Sequence, residues 1–391
     1  MKTISYFLLF CAMALCLPGW TKAKKSQGRD QIRVLLENNA KEALLEVKGP
    51  YYIYNPQDNS NIASGLIGKR FILRATASGL KWGQEFSGIH QIYIVPRKAD
   101  ASILVNGIQY QGNLLVYKTG NKINIVNEVD IESFIKSTLP CKLPQFYENE
   151  VMAAVAIAER TSAYYYAEKY AGSFYHIAAD VARYQGCVLV TADSPASSAV
   201  DATRDLIMVG PEKKPFIACW TEHSAGKTAP YHTIFRTDEA APQEGVEAPH
   251  AALDRAESKW SATFDRQQIA GEFAIGNLQS IGLFVDTFSN KAYALRLNDK
   301  ENHADIDFFT LQEKLGKDKI KSNDLQVTLN SNEVVFSGYG RGHGVGICLY
   351  SASAMAQKGD MAVVILSRFF PKTYLLNLAA MPKNRKTGEN L

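Results

Sequence analysis

The 391 residues leave enough chain, once a leader is removed, for one large domain or two modest ones. At 46% apolar and 21% charged, the composition excludes a chain that is disordered over most of its length. The formal charge of +4 falls to +2 without Lys2 and Lys22 (4 − 2), and no basic run or aromatic–basic module occurs, which argues against a nucleic-acid partner.

The first residues read as a secretory signal, residues 1–23. Lys2 supplies the positive end, Ile4–Leu17 the apolar stretch, and Thr21-Lys22-Ala23 a small-x-small cleavage site. The apolar stretch is too short to span a bilayer and is broken by Pro18-Gly19, so cleavage is expected, with a retained anchor as the alternative. No lipobox surrounds Cys11 or Cys16, and no other segment is long and apolar enough to cross a membrane. The expected address is the periplasm or the exterior of the cell envelope. Cys141, Cys187, Cys219 and Cys348 remain after cleavage; sequence cannot choose among their pairings, and they read as small buried hydrophobes.

From Gln31 to Val129 the pattern is strand-like, with short apolar runs such as Ile32–Leu36, Ala43–Val47, Tyr51–Tyr54, Phe71–Ala75, Ile92–Val95 and Leu114–Lys118. Asn, Pro and Gly punctuate them, and Asn106-Gly107 has the chemistry of a hairpin turn. Glu150–Ala171 predicts a helix, capped by Asn149 and ended by Gly172, with Ala153, Ala154, Ala156 and Ala158 keeping its surface small. Near the C-terminus, strand Glu333–Ser337 leads into Gly338-Tyr339-Gly340-Arg341-Gly342-His343-Gly344-Val345-Gly346, followed by a helix around Ser353–Lys358 that stops at Gly359. The alternating glycines match neither a phosphate loop nor a dinucleotide fingerprint. They suit either a tight packing turn or a site-forming loop that holds His343.

Several stretches together carry a resemblance. Tyr339 to Thr373 (Y-G-R-G-H-G-V-G-I-C-L-Y-S-A-S-A-M-A-Q-K-G, then I-L-S-R-F-F-P-K-T) is similar to G-x-G-H-G-V-G-M-S-Q-Y-G-A followed by I-L and Y-Y-P-G-T. Val105 to Gly112 is similar to V-N-G-x-x-Y-R-G, with Gln111 for the arginine. Val126-Asn127 with Ile131–Ile135 is similar to V-N-x-x-x-L-E-x-Y-L, and Leu139 to Pro144 to V-P-S-E-M-P. Glu150 to Thr161 is similar to E-A-L-K-A-Q-A-V-A-A-R-T. The segments around Asp180–Gly186, Ala199–Arg204 and Thr221–Thr228 match more loosely. In this order and spacing they resemble the stage II sporulation protein D / LytB amidase-enhancer family, over residues 103 to 378.

The resemblance implies an α+β fold: a β-rich N-terminal region (24–102), a mixed core with an Ala-rich helix (103–378) and a tail (379–391), in which the Lys383–Lys386 run is solvated. It implies work on peptidoglycan. Sporulation-type members are lytic transglycosylases that cut denuded glycan strands in septal and cell-wall remodelling, and LytB-type relatives enhance amidases. It places the catalytic acid at the glutamate of V-P-S-E-M-P, where this chain has Lys142. Cleavage without water needs a carboxylic acid that protonates the leaving oxygen and then accepts the proton of the sugar's 6-hydroxyl. Lysine is ordinarily a charged group and a poor base. Substitute acids to consider are Glu132, Glu148 and Glu150, with Glu132 read first as a structural carboxylate under the helix. The substrate-binding set carried over is Arg160, Thr161, Ser224, Gly226, Lys227, Thr228, Gly342, His343, Gly344 and Gly346, with a buried ion pair as the structural reading of Arg160 and Thr161. Some members hold zinc; here His176 is kept but no cysteine precedes Asp180 in that segment, so neither metal nor cofactor is expected. Expected partners are glycan strands, and an amidase or division protein. A catalytically degenerate member that binds glycan or stimulates an amidase is the alternative.

Overall fold

The computed structural model describes residues 30–98, 101–143, 145, 147–187, 194–237, 239 and 241–381, so the signal and the 383–386 run lie outside the described residues. Within these, the chain mixes helices and several sheets in an α+β fold. Two sheets stack at the N-terminal side. One runs, in spatial order, Ile177–Ala178, Gln31–Ala40, Lys122–Asp130, Asn113–Thr119, Gln91–Pro96, Tyr51–Tyr54 and Asn61–Gly65. The other runs Ile108–Tyr110, Ser102–Val105, Glu42–Lys48, Lys69–Ala75, Gly79–Trp82 and Gln84–Ser87. Alternation along the strands turns Ile32, Val34, Leu45, Val47, Ile92, Ile94, Leu114 and Val116 inward to one shared core. Asn106 and Gly107, at φ of 51° and 87°, form the expected hairpin turn. Both sheets use residues on each side of the boundary expected at 102, because strands up to Asp130 complete the sandwich.

Helix α1 (Ile131–Lys142) follows directly. The carboxylate of Asp130 accepts the Ser133 N–H as its cap. It ends at Lys142 because Leu143 precedes Pro144, a position that disfavours helical backbone, and Leu143 is extended at φ −78° and ψ 129°. Helix α2 (Asn149–Lys169) is the axis of the core. Its N-cap residue is Glu148, one residue before the expected Asn149, and every residue from Val151 to Ala163 is buried. Such a helix has no solvent face: it packs on α1, on helices Pro195–Ala202 and Ala362–Phe369, and on strand Leu206–Val209. The alanines allow that close approach.

Residues 259–339 form an α+β unit of antiparallel sheets with its own core, which the sequence reading did not separate from its surroundings. Lys259–Asp265, Glu333–Tyr339 and Leu325–Leu329 make one sheet, and Ser280–Val285, Ala292–Asn298 and His303–Asp307 another. Trp260, Phe264, Leu295, Leu297, Phe308 and Phe336 fill the space between them. The helix after the glycine-rich stretch is Leu349–Gln357, four residues longer at its start than expected, with Gly359 at φ +96° just beyond it.

Candidate functional site

The last turn of α1, the middle of α2 and the short strand Trp220–Thr221 converge on one carboxylate. Lys142 Nζ lies 2.5 Å from Glu159 Oε2, and Trp220 Nε1 donates to Glu159 Oε1 at 3.0 Å. The side chains of Lys142 and Glu159 retain 18% and 10% of their exposure, so the pair sits at the edge of the core and touches solvent. Lysine is favoured there, in the last turn of α1, by the helix dipole. Beside the pair, burial and the charge of Glu159 push the Cys219 thiol up to about 12, which leaves no reactive thiolate. Cys141, one residue before Lys142, lines an open groove with Glu37, Asn106, Asp180 and Arg183.

Further along the same segment, Glu222 faces Arg341 at 3.5 Å, and burial together with Glu222 pushes Tyr147 up to about 12. His223 is buried. Its Nδ1 accepts the Ala225 N–H at 3.1 Å, its ring lies 4.7 Å from that of Tyr350, and its Nε2 is 3.3 Å from Asp254 without a hydrogen bond. Desolvation lowers its pKa, and Asp254 opposes the shift.

The glycine-rich stretch is a strap across this segment. Gly340, Gly342, Gly344 and Gly346 all have positive φ. A Cβ at Gly342 would stand 2.4 Å from Thr221 Oγ1, and one at Gly346 would stand 1.9 Å from the Cys219 carbonyl. Its amides are committed within the fold: Arg341 N–H to the His223 carbonyl, Gly342 N–H to Lys321, Gly344 N–H to Thr221 Oγ1 and Ile347 N–H to Cys219. They therefore do not form an open anion nest. The ring of His343 lies 5.2 Å from Phe235, and its Nδ1 accepts the Val345 N–H. Burial holds its pKa down to about 4, so at neutral pH it is an uncharged ring with its proton on Nε2.

The other residues expected at the site are taken up by the scaffold. Arg160 is fully buried and all five of its N–H donors are matched: Nε and Nη2 to the two oxygens of Glu132 at 2.7 Å, the rest to Val200, Thr203 and Leu206. Thr161 Oγ1 donates to the Ile157 carbonyl and accepts the Met208 N–H. The Ser224 carbonyl accepts from the buried Lys291, while its own hydroxyl has no partner. Gly226 accepts the Ala248 N–H and packs on Ala252, Lys227 lies over the Phe288 ring, and Thr228 bonds Val246. Glu148 accepts from Ser353 and Gln357, and Glu150 caps the helix that starts at Ala362. The three candidate substitute acids thus lie in structural contacts away from Lys142. Glu159, which sequence reasoning passed over, is the carboxylate that meets Lys142; the signal available was an acid directly after the small and apolar run Val151–Ala158, with alanine at that position in the motif it resembles.

A family model for the stage II sporulation protein (SpoIID) matches residues 119–209, which contain α1, α2 and the Lys142–Glu159 pair. An uncharacterized protein of Chlamydia pneumoniae is 33% identical over 225 residues, 54% of this chain and 81% of that protein. One from Chlamydia muridarum is 34% identical over 193 residues, 48% and 66% of the two chains. One from Brachyspira hyodysenteriae is 28% identical over 340 residues, 83% and 87%.

Proposed function

Because the chain belongs to the stage II sporulation protein (SpoIID) family, with its cell-wall-related role in sporulation or remodelling, we propose that it is an exported protein that grips denuded peptidoglycan strands where Lys142, Glu159 and Trp220 meet. One contact supports this reading above the rest: the ammonium of Lys142 lies 2.5 Å from Glu159. Transglycosylation begins when a carboxylic acid delivers a proton to the glycosidic oxygen. Both oxygens of Glu159 accept hydrogen bonds, from Lys142 and Trp220, so the carboxylate is engaged within the fold. A fixed cation also opposes the positive charge of an oxocarbenium-like transition state. A cation, an indole and a carboxylate side by side suit sugar hydroxyls and a sugar face. The chain therefore binds glycan without cutting it and leaves cleavage to a partner such as an amidase. Export rests on the leader-like first residues; among the described residues no helix is long and apolar enough to cross a membrane.

The position of Glu159 favours a second reading, in which an arriving strand draws Lys142 aside and Glu159 performs the proton transfers. Incubating the purified chain with denuded glycan, and measuring both retention on the strands and 1,6-anhydro ends by mass spectrometry, separates the two. Retention without anhydro ends is expected. Anhydro ends from the native chain that disappear in Glu159→Gln would overturn the binding reading.

A further inference from the structure

The sandwich carries an apolar tip at the end remote from Lys142. Strand Glu42–Lys48 gives the direction: Asn106, which shares the groove with Cys141, bonds Leu44, whereas Lys48 at the other end of the strand pairs with Ser102. At that far end Leu66-Ile67-Gly68 crosses from Asn61–Gly65 of one sheet to Lys69–Ala75 of the other. Leu66 is 79% exposed and Ile67 80%, with Phe71 at 52% close behind. A crossover turn gains nothing for the fold from two large aliphatic side chains held in water.

Register shows what surrounds them. Tyr51 pairs with both Gly65 and Pro96, so Pro50, Leu66 and Arg97 lie at the next level, where Arg97 N–H bonds the Pro50 carbonyl at 2.9 Å. Val47 pairs with Lys69, which puts Lys48 beside Gly68. Residues 46–50, 64–70 and 95–98 therefore surround the tip and carry Lys48, Arg70, Arg97 and Lys98, with Arg97 stacked over Tyr52, while the Lys69 ammonium is turned over the Trp82 and Phe71 rings. Glu46, 3.6 Å from Arg70, is the acid of these segments, and Asp100 lies outside the described residues.

We propose that this tip docks on an anionic lipid bilayer, with Leu66 and Ile67 entering the headgroup–acyl boundary and the basic collar meeting lipid phosphates. A convex turn with two aliphatic residues is too small for a standard protein–protein interface, while insertion of a few apolar side chains backed by bases is how peripheral proteins hold to membranes. So seated, the chain would turn its Lys142–Glu159 side away from the bilayer.

The test uses the full chain and sedimentation with vesicles of phosphatidylcholine containing about 30% phosphatidylglycerol. The leader is common to parent and variants, so any contact it makes cancels in the comparison. Leu66→Ser/Ile67→Ser and, separately, Lys48→Glu/Lys98→Glu should each lower the partition coefficient about tenfold or more, with the charge-dependent part weakening as salt is raised. Ile67→Trp should show quenching by brominated lipid in excess of that of the parent's own tryptophans, Trp20 included. Far-UV circular dichroism should stay unchanged, since these side chains are exposed. Equal partition of parent and Leu66→Ser/Ile67→Ser, absence of parent binding to the anionic vesicles, or no gain of quenching at position 67 would overturn the proposal. Capture of a protein by a cross-linker at position 67, with no lipid quenching, would assign the tip to a protein partner instead.

Discussion

Replacing Glu132 with Gln separates a catalytic acid from a structural one. Glu132 gives both carboxylate oxygens to Arg160 at 2.7 Å, and the two side chains retain 7% and 0% exposure. Through the guanidinium, α1 and α2 are tied to helix Pro195–Ala202 and to the start of strand Leu206–Val209. Glutamine keeps the volume but removes the charge and turns one acceptor into a donor that faces a donor. Breaking one partner of a buried pair costs about 3–5 kcal/mol, because the remaining charge stays desolvated. Against a typical stability of roughly 5–15 kcal/mol this is about a fifth of the total or more. With a guanidinium slope of roughly 5 kcal/mol per molar, the unfolding midpoint should fall by about 0.6–1 M at unchanged slope. Glycan retention per folded molecule should be unaltered. A variant with the native midpoint that had lost retention or cleavage would refute the structural assignment and return Glu132 to the site.

Other perturbations address the remaining contacts. Lys142→Glu sets two carboxyls against each other where like charges cannot both ionise, which creates a protonated acid at neutral pH; it should give 1,6-anhydro ends where the parent gives none, read by mass spectrometry. Trp220→Ala should weaken strand retention in a pull-down by about tenfold, the scale of one lost stacking and hydrogen-bonding side chain. Gly346→Ala forces a Cβ to 1.9 Å from the Cys219 carbonyl at φ +77° and should lower stability by more than about 3 kcal/mol by chemical denaturation. Burial, aided by Arg33, holds His176 down to about 4, while the unfolded chain takes up that proton near the ordinary 6.5. Its contribution is therefore complete above pH 6.5 and is lost as pH falls toward 4, at roughly 1.4 kcal/mol per pH unit. His176→Gln should flatten the acid limb of the stability–pH curve by about one proton.

The strands of the sandwich are legible because each has one dry face and a turn former at its end, and α2 because its alanines and apolar residues leave no polar stripe. Several stretches that carried the family resemblance meet as one structural knot. Tyr184 Oη donates to Asn127, Asn127 bonds the carbonyls of Gln111 and Asn113, and Tyr184 packs on Tyr110 and Phe134. A motif that ties strands together reads on the page like a motif that binds substrate, since both demand fixed polar groups at fixed spacing. Arg160 and the glycine strap illustrate this. The Lys142–Glu159 contact joins residues seventeen apart on two helices, and only the break at Leu143 decides that they face each other. The 259–339 unit was not legible as separate, because its strands carry the same alternation as the rest.

The two ends of that unit have a further consequence. Lys259 and Tyr339 are register partners on adjacent strands, so the chain departs and returns through one doorway, about one strand spacing wide. The unit beyond the doorway also braces the strap at Gly340–Gly346: the Lys321 carbonyl accepts the Gly342 N–H, Asn323 donates to the His343 carbonyl, and Lys291 donates to the Ser224 carbonyl. The architecture thus divides the module in two: descendants of this chain can vary its far strands, but must keep Lys291 and the 321–323 stretch that brace the strap beside Thr221 and Trp220.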